Sequence, residues 1–555
     1  MSQAPSPRLA AGGLAAAAGL VALVTLAARG VGLARWFVFS KAVGATCVGQ
    51  VYVTANTVPN VLFEVAAGGA LAAVAVPLVA GHLQRGREDL ADRTASALLT
   101  WSICVLLPLA ALVALAAGPI TAWLLGTPEG CAPADAHAAG RLMLLLFAPQ
   151  VLLYGIGIVL TGVLQAHRRF FAAALAPLLS SVVVIAVYLG FDRLYDPTTP
   201  LGEIPTSALW LLAGGTTLGV VALSLPLLLP AARLGIRWRL TWTFPAGTGA
   251  RARSLLLAGV AAVGAQQLTT VVVLLLTNAS PGVAGITVWT YAQTAYLLPY
   301  AVLVVPLATA AFPRLTAPAR EATRVLRGAL LGGLVAAVVA AIALVAVRRE
   351  IGGLFLLIDA GGGGAGRLTL EALPLTVAAL APGLLGYALV AVGTRALYAV
   401  GSPARAAAAA SLGWAVAALV PLLVLGTGAA VLPTLVWLGL GSSLGMTVAG
   451  VLLAVEVVKV WGAGAFAGVA RAVLAAGAGA AAGLAVREVA GPSAVVVGWA
   501  SAVGWAVLGG VLVLAGAALG LRLLAPEAFR LVRARMPGGK VSVGRKVSRG
   551  RKVSR

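Results

Sequence analysis

Arg29, Arg35 and Glu64 lie within a stretch, 29–77, that is otherwise apolar enough for the middle of a bilayer. A charged side chain at the centre of a spanning helix costs on the order of 3 kcal/mol by insertion scales, so such residues usually face a water-filled cavity or a partner. Guanidinium groups present a planar fork of donors that grips phosphate oxygens two at a time, so the chemistry these arginines suggest is the binding of an anion. At about 100° per residue they stand about 120° apart on one helix and can border one cavity. Glu64 is the one carboxylate inside a predicted span; it can hold an arginine while the cavity is empty and release it to phosphate. A purely structural use, one arginine neutralising Glu64 or capping carbonyls to join the first two helices, stays open.

Uncharged hydrogen-bonding groups follow. Gln50, Asn56 and Asn60 share the second helix with Pro59, which removes a backbone donor there. Gln266, Gln267, Thr269, Asn278, Gln293 and Thr294 fall on the seventh and eighth helices, where bonds between helices are the common use, worth around 0.6 kcal/mol each. Gln50, Asn56, Asn60, Gln267 and Gln293 join Arg29, Arg35 and Glu64 as candidate substrate-binding residues. Arg395, near one end of its helix, is a weaker candidate that can reach water. Catalysis has little to work with: His82, His137 and His167 are scattered near helix ends, and Cys47, Cys104 and Cys131 have no metal-ligand spacing. No enzyme activity, metal or cofactor is expected. Cys47 and Cys131 can share one surface, with a bridge between them the minority alternative. The run GGGG at 361–364 lacks the lysine and the strand-to-helix setting of a phosphate loop and reads as a flexible loop.

The elements that must position these residues are helices in lipid. With 61% hydrophobic residues, 10% charged residues and a mean hydropathy of +1.02, the 555-residue chain excludes every soluble class. The first apolar segment has signal-peptide features but no soluble domain after it, so it reads as a retained helix. Apolar runs of about 20 residues predict fourteen spans, near 12–39, 46–80, 95–117, 138–164, 171–190, 207–231, 254–276, 285–312, 326–347, 372–400, 406–426, 430–455, 466–486 and 494–521. The segment 351–358 is too short to span and reads as loop; 191–205, with three prolines, reads as an ordered turn or small lid.

Placing both termini inside puts 29 of the 39 Lys and Arg residues on inner segments and seven on outer ones, while most acids, Glu129 and Asp359 among them, fall outside. The net charge of +23 is therefore a topology signal rather than a nucleic-acid one. The basic connection 232–253 divides an amino-terminal lobe (1–235, helices one to six) from a second (236–460, helices seven to twelve). Helices thirteen and fourteen (461–524) and a basic tail (525–555) complete the chain. The repeating end, KVSVGRKVSRGRKVSR, is expected to be disordered and to attract anionic lipid, at about 1 kcal/mol per basic residue, or to serve simply as a topology anchor.

Four motifs carry a family resemblance. RGVGLAR at 29–35, followed by TANTVPNVLFE and GALAAVAVP, resembles the opening of the MurJ (MviN) flippases, in the superfamily that also holds the MATE exporters. LQAHRRF with APLL at 176–179 resembles that family's fourth-to-fifth helix connection. TYA at 290–292 with Pro299 and AFPRL at 311–315 resembles its eighth helix, and RALYA at 395–399 with Pro403 its tenth. Gln267 matches a family glutamine. The best-known members carry acidic residues where this chain has Gln50 and Gly68, and arginines where it has Phe63 and Thr294. The resemblance implies an all-α, two-lobed flippase of the bacterial plasma membrane. Such a protein moves a polyprenyl-pyrophosphate cell-wall precursor outward by alternating access, with cell-wall synthesis proteins as unidentified partners. A carrier of another lipid-linked glycan or amphiphile, or a non-transporting scaffold, is the alternative.

Overall fold

The computed structural model describes residues 7–65, 72–128, 130–245, 248–426, 428–491 and 498–535; Gly68, Glu129 and the tail beyond Arg535 lie outside it. The described residues form helices and turns with no strand. In chain order the helices are α1 (Pro7–Ala42), α2 (Cys47–Phe63), α3 (Ala72–Leu83), α4 (Glu88–Leu115), α5 (Ala117–Leu125), α6 (Pro133–Phe147), α7 (Pro149–Ala166) and α8 (Phe170–Leu194). They continue with α9 (Thr206–Ala232), α10 (Thr248–Ala279), α11 (Gly285–Leu315), α12 (Ala319–Ala346), α13 (Arg348–Ile358), α14 (Arg367–Leu380) and α15 (Gly383–Ala399). The last five are α16 (Pro403–Val424), α17 (Val431–Trp461), α18 (Val469–Ala490), α19 (Trp499–Leu524) and α20 (Pro526–Arg535).

Among the described residues eleven helical stretches, α6 and α7 together forming one, are long and apolar enough to cross a membrane, or twelve when the bent pair α14 and α15 is one span. The predicted spans 46–80 and 254–276 are not fully covered by that count: residues 66–71 of the first lie outside the described residues, and in α10 the described apolar stretch is Val263–Ala279. The expected span 372–400 is a broken one, bent by 50°. Pro382 cannot donate to the helix ladder, and Ser443 of α17 mends the gap: its Oγ donates to the Ala379 carbonyl at 2.6 Å and accepts the Gly383 N–H at 3.1 Å.

Two expectations about loops are corrected. Residues 351–358 belong to helix α13, whose first turn is held by ion pairs: Glu350 with Arg487, both buried, and Arg348 and Arg349 with Glu488. Residues 526–535 of the expected disordered tail form the amphipathic helix α20. Of the 191–205 segment, residues 191–194 end α8 and the rest is an ordered turn, in which the Asp196 carboxylate accepts from the Thr198 N–H at 2.8 Å and its hydroxyl at 2.6 Å. Those bonds hold this exposed carboxyl below the usual range.

Up to α9 the helices pack mostly on one another, α1 against α8 and α4 against α7; from α10 on, α16 packs on α17, α15 on α17 and α12 on α18. Small residues permit this in lipid, where apolar burial alone gives helices no preference for each other. Between α18 and α19, a Cβ added to Gly479 would stand 2.1 Å from the Gly516 carbonyl. The two groups of helices meet where α2 touches α11 and where α10 touches α3 and α5.

Candidate functional site

Between the two groups of helices lies a cavity of about 1040 Å³. Helix α1 contributes Arg29, Arg35 and Trp36, α2 contributes Asn56, Asn60 and Phe63, and α11 contributes Gln293 and Thr294. Arg29 is exposed and Arg35 half-buried. Neither arginine forms an ion pair among the described residues. The Arg35 guanidinium carbon lies 5.7 Å from the centroid of the Trp36 ring, a cation–π arrangement that holds the side chain without neutralising it. Glu64 is exposed and absent from the cavity wall, so an Arg–Glu64 pair is not what joins the first two helices here. Two guanidinium groups thus border the cavity without an ion-pair partner among the described residues.

Of the polar candidates, Asn56, Asn60 and Gln293 line the cavity. Asn60 Oδ1 accepts from the Tyr154 hydroxyl at 3.1 Å, and the Phe63 ring packs on that tyrosine at 4.3 Å between centroids. The buried Asn56 Oδ1 has no hydrogen-bond partner among the described residues. Gln267 is a correction. It is buried outside the wall, and Gln266, about 100° round the helix, lines the cavity instead.

Gln50 is a second correction: it is 1% exposed and forms part of a seal rather than the wall. Its Oε1 accepts the Ala284 N–H at 2.9 Å and its Nε2 donates to Asn278 Oδ1 at 3.1 Å. Asn278 Nδ2 in turn donates to Thr54 Oγ1 at 3.0 Å and to the Leu124 carbonyl at 2.9 Å. Cys47 and Cys131 at this end form a disulfide, with Cα atoms 5.8 Å apart, against the expectation of separate thiols. At the other end the cavity reaches exposed residues, Phe170 and Val302.

The sequence reading missed the aromatic and hydroxyl groups of the wall. The Tyr52 hydroxyl lies 2.9 Å from that of Tyr188 and 2.8 Å from that of Thr216, and all three residues line the cavity. Trp289, Tyr387 and Trp414 line the side contributed by the later helices. Nothing in a lone tyrosine within an apolar run marks it in the sequence. Arg395 is not part of the wall; it donates to the Ala391 carbonyl at 2.8 Å and to Thr309 at 3.3 Å. Among the described residues no group of three or more His, Cys, Asp or Glu side chains comes together.

Known proteins of similar sequence or fold are named as flippases and transporters. In sequence, the chain is 32% identical over 240 residues to the probable lipid II flippase MurJ of Synechocystis sp. (strain ATCC 27184 / PCC 6803 / Kazusa), covering 42% of each chain. It is 28% identical over 298 residues to the probable lipid II flippase MurJ of Rhizobium tropici, covering 52% of this chain and 53% of that one. The chain thus spans about half the length of the curated relatives it matches. In fold it is similar to a solved lipid II flippase MurJ in an inward closed conformation, with TM-score 0.70, 17% identity and coverage of 91% of this chain and 99% of that one. An inward-facing multidrug resistance MATE family transporter of the MOP superfamily follows, with TM-score 0.60, 14% identity and coverage of 81% and 99%. The family model for lipid II flippase MurJ matches residues 39–500, most of the 555-residue chain including the eighth- and tenth-helix motifs, and on that match the chain belongs to the MurJ family.

Proposed function

We propose that this chain is a flippase that carries lipid II, the pyrophosphate-linked peptidoglycan precursor, from the inner to the outer leaflet of the bacterial plasma membrane. The observation that carries the reading is the pair Arg29 and Arg35, uncompensated by any carboxylate among the described residues and bordering a cavity of about 1040 Å³. A pyrophosphate brings the negative charge that this wall lacks, and two forks can hold its oxygens while the polyprenyl chain stays in lipid.

The inner segments carry most of the Lys and Arg, so both termini are cytoplasmic and the end sealed by Gln50 and Asn278 faces outward. The conformation is then inward-facing. Transport follows by rocking of the lobes 1–235 and 236–460 about the fixed site, without a chemical step and so without an enzyme's catalytic groups. The basic tail, 536–555, holds anionic lipid at the cytoplasmic face. Expression in a strain depleted of its own lipid II flippase tests the reading: restored growth is expected, and failure at normal membrane levels overturns it.

A further inference from the structure

Among the described residues two carboxylates outside the spans are buried, Glu350 and Asp359, and they are used differently. Glu350 faces Arg487, whereas Asp359 has no cation partner among the described residues. Its Oδ1 accepts the Ala45 N–H at 2.7 Å and the Gly361 N–H at 2.8 Å. Its Oδ2 accepts from the Ser40 hydroxyl at 2.6 Å and the Tyr291 hydroxyl at 2.8 Å. The donors come from the end of α1, the turn between α1 and α2, α11, and the turn that Asp359 itself heads.

The glycine run expected to be a flexible loop makes this seat. Ala360–Gly363 is a 3₁₀ turn in which Gly361 and Gly362 are buried. A Cβ on Gly361 would lie 2.2 Å from the Ala45 carbonyl oxygen, and one on Gly366 2.0 Å from the same atom. No side chain fits between the two turns. Phe355, on the helix leading into the seat, stacks on Tyr291 at 4.4 Å and on Phe37 of α1 at 5.5 Å.

We propose that Asp359 and the glycine turn it heads form the outer latch of the carrier, seated on the α1–α2 turn while the cavity faces inward and released whenever it opens outward. The proposal rests on the alternating-access reading above. It gives this chain a gating residue distinct from the Gln50–Asn278 seal and on a different connection.

The latch also has a defined response to a proton. Hydroxyl groups rotate, so Ser40 and Tyr291 can donate to a carboxylate or accept from a carboxylic acid, while Oδ1 keeps both amides in either form. Burial pushes the Asp359 carboxyl up from its usual value, against the opposing pull of its four donors, and release into water returns it toward that value. The seated form therefore binds the proton more tightly. Falling outside pH favours the latch, and rising pH through the raised value favours its release. The titratable side chain in contact is Tyr291. On the flanking elements Lys41 is paired with Asp192, Arg367 with Glu371, and Arg348 and Arg349 with Glu488.

The test uses the full chain with Cys104→Ser, the native disulfide left oxidised, and Ile286→Cys at the sealed end of the cavity, where the side chain is 5% exposed. An impermeant maleimide applied from outside reads opening. Asp359→Ala, and separately Ser40→Ala with Tyr291→Phe, should raise labelling severalfold. Asp359→Asn, which keeps the Oδ1 acceptor and offers an amide to the two hydroxyls, should label like the parent and lose the rise of labelling with pH. Parent-like labelling in Asp359→Ala and in the Ser40/Tyr291 pair, at matched membrane levels, overturns the latch. If Asp359→Ala does not reach the membrane, the Ser40/Tyr291 pair alone decides. Lipid II flipping by the same proteins separates the two readings. A parent that does not flip but whose labelling responds to Asp359 keeps the latch and sinks the substrate. A parent that flips with labelling indifferent to all three variants sinks the latch alone.

Discussion

Gln50 Oε1 accepts the backbone N–H of Ala284 across 234 residues of sequence, and the same side chain donates to Asn278, so one amide ties α2 both to the start of α11 and to the end of α10. An amide can do this because it accepts on one atom and donates on the other; a carboxylate at this position could only accept.

Gln50→Ala should therefore leave the buried Ala284 N–H without this partner, at about 1–3 kcal/mol, and Asn278 Oδ1 with only the longer 3.5 Å bond from the Thr54 hydroxyl. The expected result is a clearly lower melting temperature in detergent, with Gln50→Glu intermediate. An unchanged melting temperature for Gln50→Ala would mean that the knot does not hold the two groups of helices together.

The buried pair Glu350 and Arg487 fastens α13 to α18, with the Arg487 guanidinium also 5.3 Å from the Trp505 ring centroid. Removing one partner strands a buried charge, so Glu350→Gln should destabilise the protein by about 3–5 kcal/mol, and Glu350→Gln with Arg487→Met by less. Thermal melts of the two variants check the order; equal losses would show that the charges are not coupled.

The Cys47–Cys131 disulfide closes a sequence separation of 84 residues. Cross-links of this kind typically stabilise by about 2–4 kcal/mol, largely through the unfolded chain, so Cys131→Ser should lower the melting temperature under non-reducing conditions and make it insensitive to reductant. A linked peptide pair in a non-reduced digest is the direct check, and its absence would contradict the bridge.

Much of the fold was legible because a bilayer demands about 20 apolar residues per crossing, a pattern that local sequence displays without reference to the rest of the chain. What was not legible depends on rotation or on distant partners. In α10, where Gln266 and Gln267 are neighbours with apolar residues on either side, nothing fixes the phase that puts Gln266 in the wall and Gln267 outside it. Asp359 meets Ser40 across 319 residues, so in sequence it is a loop acid beside glycines. Arg29 and Arg35 were legible because their cost in lipid is a property of the residue itself.

Topology is tested by single cysteines at Thr199 and Thr248, in a background without the three native cysteines. Thr199 should label from outside in intact cells and Thr248 only after the membrane is opened. Outside labelling of Thr248 would reverse the orientation inferred from the Lys and Arg distribution.

The most direct measurement of the central claim is lipid II flipping in proteoliposomes by Arg29→Ala with Arg35→Ala, compared at matched protein levels with Arg35→Lys, Arg35→Ala and Glu64→Ala. If the arginines grip pyrophosphate, the double variant is inactive, and Arg35→Lys, which keeps charge but loses the fork, falls between parent and Arg35→Ala. Glu64→Ala, whose carboxylate pairs with neither arginine here, should not rescue either single arginine variant. Full flipping by the double arginine variant would contradict the head-group site.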